Sequence, residues 1–181
     1  MKIACFHLMP YRDLDDDFEK KYPSSWFSLP FSEVADRQKV SQYFNWTLDE
    51  LTFAAESGFD GVCTNEHHQN AYGFMVNPNL MGSVLARATR GTDTAIIQMG
   101  ETAVFLNPPI RVAEEYAMLD AISEGRLVAG FPVGLGGDFS YSYGMAPMEQ
   151  RARYYEAHDL IKKAWTATEG FAWNGTYYQL P

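Results

Sequence analysis

Asn65, Glu66, His67 and His68 form the densest group of side chains in the sequence that could perform acid–base chemistry. Imidazoles titrate close to neutral pH, and the adjacent carboxylate adds a hydrogen-bond acceptor. Neighbouring residues on an extended backbone point in opposite directions, so we expect at most one of the two imidazoles to face a pocket. The alternative, that both histidines only hydrogen-bond the surrounding loop, stays open from these residues alone.

Other patterns that could bind a metal or a phosphate are incomplete. A metal site needs ligands spaced so that they converge, as on a zinc-protease helix, and the sequence offers no such spacing, so no metal is expected. The run Gly134-Leu135-Gly136-Gly137 would let the backbone approach a ligand closely. It lacks the lysine and hydroxyl of a P-loop and departs from the dinucleotide fingerprint, so a plain flexible connection is equally compatible with it.

Short apolar runs alternate with amphipathic segments along the chain. The apolar runs predict strands at 3–8, about 60–64, 94–99 and 126–131. The amphipathic segments predict four helices: from the capping box Thr47-Leu48-Asp49-Glu50 to Gly58, over 79–88, from Asn107-Pro108-Pro109 to Gly125, and over about 149–166. Four strand-then-helix units require parallel strands with helical crossovers, in an open doubly wound sheet or a closed barrel.

The residues just after each strand are the candidates for a ligand site, because both architectures bind ligands at the carboxyl ends of their strands. These residues are His7 and Pro10, then 65–68, 100–102 and 132–137. Glu101 is predicted to be a polar residue at the rim of the site. Glu114 and Glu115 are predicted to lie on a solvated helix face.

Four units are half of what a closed barrel needs, and a four-stranded parallel sheet would leave open edges. We expect the C-terminal half of the barrel to be missing from this chain, in preference to an association of two copies. Residues 11–45 have no sustained period but many aromatic residues, which predicts a packed, lid-like insertion. The Asn174-Gly175 pair between aromatic runs predicts a hairpin turn.

Composition narrows the partners and the compartment. The net charge of -9, without clusters of lysine and arginine, argues against nucleic acid. Cys5 and Cys63 each lie in an apolar run, which favours free thiols in a reducing compartment over a disulfide. No secretory signal and no apolar run of transmembrane length is visible, so a cytoplasmic protein without a membrane partner is expected.

A set of longer motifs, in order and with matching separations, extends over nearly the whole chain. They are Asp60-Gly61-Val62, Glu66-His67-His68, Asn77-Pro78-Asn79, the run from Asn107 to Glu115, and the run from Leu119 to Leu127, in which Ser123-Glu124-Gly125-Arg126 is included. Together they resemble the bacterial-luciferase-like, flavin-dependent monooxygenases. The resemblance covers the first half of that family's barrel, so residues 1–181 would form the N-terminal half of a (β/α)8 TIM-type barrel with about four β/α units present.

The resemblance implies an oxidoreductase that uses reduced FMN and O2 to oxidise a small organic substrate. The FMNH2 is usually delivered by a separate flavin reductase, and we also expect a homo-oligomer. An F420-dependent oxidoreductase of the same barrel family, or a non-catalytic fragment or partner subunit that is stable only as an oligomer, is the alternative.

The resemblance also assigns residues. The family's active-site histidine corresponds to His67, which would do acid–base work together with Glu66, while His68 would support the structure. A bulge after the third strand, which packs on the flavin face and often holds a strained non-proline peptide bond, corresponds to Gly100-Glu101-Thr102-Ala103. The residues predicted to bind the cofactor are Met99, Gly100, Glu101, Thr102, Ala103, Val133 and Gly134. An arginine that helps luciferase to hold the flavin phosphate is absent after the fourth strand, so phosphate binding is expected elsewhere.

Overall fold

The centre of the molecule is a four-stranded parallel sheet whose strands are ordered as in the chain, β1-β2-β3-β4. The structure is a computed structural model that describes residues 1–25, 29–102 and 108–181. The strands are β1 (Ala4–Phe6), β2 (Gly61–Thr64), β3 (Ala95–Gln98) and β4 (Leu127–Ala129). All three strand pairs are parallel, which confirms the predicted strand-then-helix architecture.

Seven helices fill the connections among the described residues. They are α1 (Phe18–Lys21), α2 (Phe31–Val34), α3 (Arg37–Glu56), α4 (Pro78–Ala88), α5 (Ile110–Ile122), α6 (Gly136–Tyr143) and α7 (Pro147–Thr166). Helix α4 begins one residue before its predicted start, and the Asn77 side chain caps it by accepting a hydrogen bond from the amide of Leu80 at 2.9 Å. The proposed cap Asn107 for α5 lies outside the described residues.

The main core lies between the sheet and the helices that cover its outer face. Val62 of β2 and Ile96 of β3 are direct partners in the sheet and are fully buried. They pack against Leu51 of α3, Leu85 of α4 and Leu119 of α5. This layer fixes the two central strands relative to three helices, so the loops that leave the carboxyl ends of those strands start from fixed positions.

Helix α3 begins eleven residues earlier than predicted. Its cap is Asp36, whose carboxylate accepts a hydrogen bond from the amide of Gln38 at 2.8 Å. Thr47 is buried in the middle of the helix, so the prediction that Thr47 and Glu50 form a capping box was wrong. The predicted lid-like segment 11–45 therefore contains α1, α2 and the first turns of α3, and its role as a lid stays a prediction.

The hairpin near the C-terminal end is present, but its turn differs from the prediction. Strands β5 (Trp173–Asn174) and β6 (Gln179–Leu180) are antiparallel, and four residues connect them instead of an Asn-Gly pair. The Glu156 carboxylate of α7 explains the longer loop, because it accepts hydrogen bonds from the amides of Thr176, Tyr177 and Tyr178 at 3.0–3.2 Å.

Arg126 holds the opposite end of the sheet together, just before β4 begins. Its guanidinium donates hydrogen bonds of 2.8–2.9 Å to the carbonyl oxygens of Ala86, Thr94 and Ser123 and to the hydroxyl of Thr89. Ala86 and Thr89 belong to the last turn and C-cap of α4, where helix carbonyls have no intrahelical partner. One side chain thus joins α4, the start of β3 and the end of α5.

Cys5 and Cys63 are both free, as predicted. In the part of the chain that the structure describes, no helix is long and apolar enough to cross a bilayer. The same described residues contain no group of three or more His, Cys, Asp or Glu side chains arranged to hold a metal ion.

Candidate functional site

A pocket of about 330 Å³ lies at the carboxyl ends of the strands, between the loops that follow β2, β3 and β4. This volume falls in the range of about 300–1,000 Å³ that is typical of small-molecule sites. Six of the nine residues predicted for the site line the pocket: Glu66, His67, Met99, Gly100, Thr102 and Gly134. Three loops that are far apart in sequence therefore meet around one cavity.

The imidazole of His67 is held by a carboxylate from helix α6. The His67 Nδ1 lies 3.2 Å from an Asp138 carboxylate oxygen, and the two side chains are 18% and 4% exposed. The other ring nitrogen of His67, Nε2, has no hydrogen-bond partner among the described residues. His67 is one of the residues that line the pocket.

Glu66 connects the loops after β2 and β3 and also engages the second histidine. One oxygen of the carboxylate lies 2.8 Å from His68 Nε2, and the other accepts a hydrogen bond of 2.8 Å from the amide of Thr102. Tyr143 of α6 packs edge-on against the His68 ring, with centroids 5.1 Å apart. The contacts of His68 are thus made by Nε2 and the ring, and those of His67 by Nδ1, so each histidine has its own partner.

The backbone at the end of β3 approaches the neighbouring strand very closely. The peptide bond between Met99 and Gly100 is cis. A Cβ atom on Gly100 would lie 2.6 Å from the carbonyl oxygens of Gln98 and Gly130, which is closer than real side chains come. Only glycine fits at this position, and the main chain of Gly100 forms part of the pocket wall.

Glu101 turns away from the pocket into the protein, so the prediction of a polar rim residue was wrong. It is 7% exposed, and its carboxylate accepts a hydrogen bond from the side-chain nitrogen Nδ2 of Asn79. The same nitrogen donates to Glu115 at 2.9 Å, so Glu115 is not the fully solvated residue that was predicted. Burial, reinforced by the nearby carboxylates of Glu115 and Glu66, raises the pKa of Glu101 to about 8.

Val133 and Ala103 are the two remaining residues that were predicted to bind the cofactor. Val133 does not line it, and its carbonyl oxygen accepts a hydrogen bond of 2.8 Å from the side chain of Gln150 on α7. Ala103 lies outside the described residues. The loop after β4 therefore reaches the pocket through Gly134, whose φ of 84° suits glycine.

Sequence reasoning missed Asp138 and the environment of Asn65. Asp138 follows the glycine run that was interpreted as a loop, and the available signal was an acidic residue in the first turn of a helix, where it is favourable. Asn65 is 4% exposed and lines the pocket; its amide donates to the carbonyl of His7 at 2.6 Å. The Asn65 Oδ1 atom is buried without a partner among the residues described.

The charged groups at the described pocket wall are acidic. Glu66 and Asp138 contribute carboxylates, and none of the lining side chains that the structure describes belongs to lysine or arginine. Such a wall suits a neutral planar ring better than a phosphate, because an anion would be repelled. Phosphate binding at this wall is thus disfavoured, in agreement with the absence of the expected arginine.

Known proteins similar to this chain share one fold and related chemistry. The model of the family described as luciferase-like monooxygenase matches residues 24–181. The oxygenase component of the flavin-dependent trigonelline monooxygenase of Acinetobacter baylyi is 31% identical over 157 residues, which cover 82% of this chain and 40% of that protein. The chain thus spans less than half the length of this relative.

Solved structures extend the comparison at lower identity. The oxygenating constituent of 3,6-diketocamphane monooxygenase from Pseudomonas putida, in complex with FMN, superposes with a TM-score of 0.75 at 19% identity, covering 99% of this chain and 43% of that one. An F420-dependent secondary alcohol dehydrogenase has a TM-score of 0.70 at 16% identity, with coverage of 99% and 47%. At these identities the likeness establishes the fold, a TIM-type barrel of which this chain has four parallel strands.

Proposed function

The chain belongs to the luciferase-like monooxygenase family, and from this premise we propose that it binds reduced FMN in the pocket at the carboxyl ends of β2, β3 and β4. It would take part in the O2-dependent oxidation of a small organic substrate. The observation that carries the proposal is the His67 imidazole, which lines a ligand-sized pocket with one ring nitrogen engaged by Asp138 and the other unpaired among the described residues.

The residues at the pocket fit the ring system of a flavin better than its phosphate. The main chain at Gly100 and Gly134 would leave room for a flat group, and Asn65 brings to the same region a buried oxygen that has no partner among the described residues. The carboxylates in the wall disfavour the phosphate, so this group would be held by residues beyond those that line the pocket. Bound reduced FMN supplies the electrons for the reduction of O2.

The residues of this chain would handle protons and geometry. His67 Nε2 would accept or return a proton at the reacting atom, since an imidazole is well matched to proton transfer near neutral pH. Glu66 would keep the loops after β2 and β3 together through Thr102 and His68. The trigonelline relative is named as an oxygenase component, which supports a separate reductase as the source of reduced flavin.

Anaerobic titration of the purified protein with FMNH2, followed by flavin absorbance and protein fluorescence, tests the proposal. We expect saturable binding of FMNH2, and O2 consumption that depends on an added organic substrate. Parallel titrations with reduced F420 distinguish the two cofactors, and light scattering after size exclusion gives the oligomeric state. Tight binding of F420 without binding of FMNH2 would contradict the assignment, as would a failure to bind either.

A further inference from the structure

His67 and His68 are adjacent in sequence, yet each is paired with its own carboxylate. His68 pairs with Glu66, two residues away, at 2.8 Å. His67 pairs with Asp138, which is 71 positions away on α6, at 3.2 Å. We propose that Asp138 is a positioning residue that fixes His67 as the Nδ1–H tautomer and thereby leaves Nε2 as a hydrogen-bond acceptor facing the pocket ligand.

The tautomer follows from the chemistry of the two groups. A neutral imidazole donates from one ring nitrogen and accepts at the other, whereas a carboxylate can only accept. In neutral His67, Nδ1 must therefore carry the proton that is donated to Asp138, and Nε2 keeps its lone pair. At 4% exposure of the Asp138 side chain, water competes little for this bond.

The ring of His67 is also restrained from the opposite edge. A Cβ atom on Gly73 would lie 2.8 Å from both Cβ and Cδ2 of His67, so the main chain at Gly73 packs directly against the ring. A half-turn of the ring would exchange Cδ2 with Nδ1 and lose the bond to Asp138. The contact with Gly73 and the bond to Asp138 together define one orientation of the imidazole.

Asp138 also reaches the backbone beside the ring. Its second oxygen lies 3.4 Å from the amide nitrogen of His68, at the long end of hydrogen-bond distances. Helix α6 touches the histidine pair twice, because Tyr143 near its C-terminal end packs on the His68 ring. An acidic residue in a first helical turn is stabilising in itself, so a role for Asp138 that is limited to helix α6 is the alternative to exclude.

Nuclear magnetic resonance of the protein labelled with ¹⁵N at histidine separates these roles, because long-range proton–nitrogen correlations report which ring nitrogen carries the proton. We expect the Nδ1–H form for His67 in the unmodified protein. Asp138→Ala should move His67 towards the Nε2–H form and leave His68 unchanged. Glu66→Gln should change the tautomer of His68 and leave that of His67 unchanged. Ser140→Ala, on the same helix as Asp138, should change neither histidine.

Two conservative variants keep the test decisive if Asp138→Ala folds poorly. Asp138→Glu retains an acceptor and should keep the Nδ1–H form, whereas the amide of Asp138→Asn can donate to Nδ1 and should shift the population towards Nε2–H. An unchanged His67 tautomer in both the alanine and the asparagine variants would overturn the proposal. A Ser140→Ala shift as large as that of Asp138→Ala would assign the effect to the helix and also overturn it.

The catalytic consequence rests on the proposed function, but the tautomer does not. If the protein oxidises substrate with reduced FMN, Asp138→Ala should lower turnover by up to about 100-fold with little change in the KM for substrate, and Asp138→Glu should restore part of it. If no flavin binds, the proposed function fails while the spectra still decide the role of Asp138.

Discussion

Replacing Glu101 with glutamine should remove a large part of the pH dependence of stability. Glu101 is 7% exposed, and burial is the main cause that raises the pKa of its carboxyl from the ordinary 4.5 to about 8. The facing groups are the carboxylates of Glu115 and Glu66, which add to the rise, and Asn79 and Arg111, which oppose it. Tyr116 lies close by, since its hydroxyl accepts a hydrogen bond from the amide of Glu101.

The sign follows from proton binding in the two states. The folded protein holds the Glu101 proton more tightly than the unfolded chain, so the stabilising contribution is complete below pH 4.5 and is lost as the pH rises through about 8. One pKa unit corresponds to about 1.4 kcal/mol. Integrated between pH 5 and pH 8, the loss amounts to about 3–4 kcal/mol of the free energy of unfolding.

Urea unfolding at pH 5 and pH 8 measures this difference. Glu101→Gln keeps the shape of the side chain but cannot ionise, so its free energy of unfolding should gain about 3–4 kcal/mol relative to the unmodified protein over this interval. Glu114→Gln, the same change at an exposed neighbouring position of α5, serves as the control and should follow the unmodified protein. If the free energy of unfolding changes between pH 5 and pH 8 by the same amount, within about 0.5 kcal/mol, in Glu101→Gln and in the unmodified protein, the buried-acid explanation is wrong.

Four further substitutions test the structure at other points. Arg126→Ala leaves carbonyl groups without their donor and should lower the free energy of unfolding by about 3 kcal/mol in urea. In oxygen-consumption assays, His67→Ala should lower turnover by at least about 100-fold, and His68→Ala by clearly less. Gly73→Ala would place a methyl group 2.8 Å from the His67 ring, so affinity for FMNH2 should fall in anaerobic titrations and stability should drop by about 1–3 kcal/mol.

Each substitution has a matched comparison. Arg90→Ala removes an exposed arginine in a surface ion pair and should lower the free energy of unfolding by less than about 1 kcal/mol. If Arg126→Ala lowers it by no more than Arg90→Ala does, the structural role of Arg126 is contradicted. Gly170→Ala adds a methyl group where nothing lies within 4 Å and should leave flavin affinity unchanged. Small and equal effects of the two histidine substitutions would mean that neither ring acts on the substrate.

The parallel sheet and the meeting of its loops were predictable because both follow from local patterns. The apolar runs that contain Val62 and Ile96 form buried strands, as their composition indicates. Parallel strands present their carboxyl ends at one edge, so the order of the elements alone brings Glu66 and Thr102 to a common pocket.

The missed features depend on contacts between distant residues or on a single backbone position. No local pattern links Asp138 to His67 across 71 residues. The side chains of Glu101 and Thr102 point to different sides of the backbone. The direction of each side chain cannot be predicted where a strand ends irregularly. Thr47 matches a capping pattern, but Asp36 caps the helix eleven residues before it, and a cap motif does not exclude a helix that has already begun.

The Arg126 side chain and the pocket occupy opposite ends of the same strands, and this separation bears on how such a protein can evolve. The hydrogen bonds of Arg126 involve α4, the start of β3 and the end of α5, none of which forms the wall around His67. Mutations in the loops around His67 can therefore accumulate and be selected for new molecules while the base of the sheet stays intact. Related proteins can therefore share the same base of the sheet and differ in the substrates that they convert.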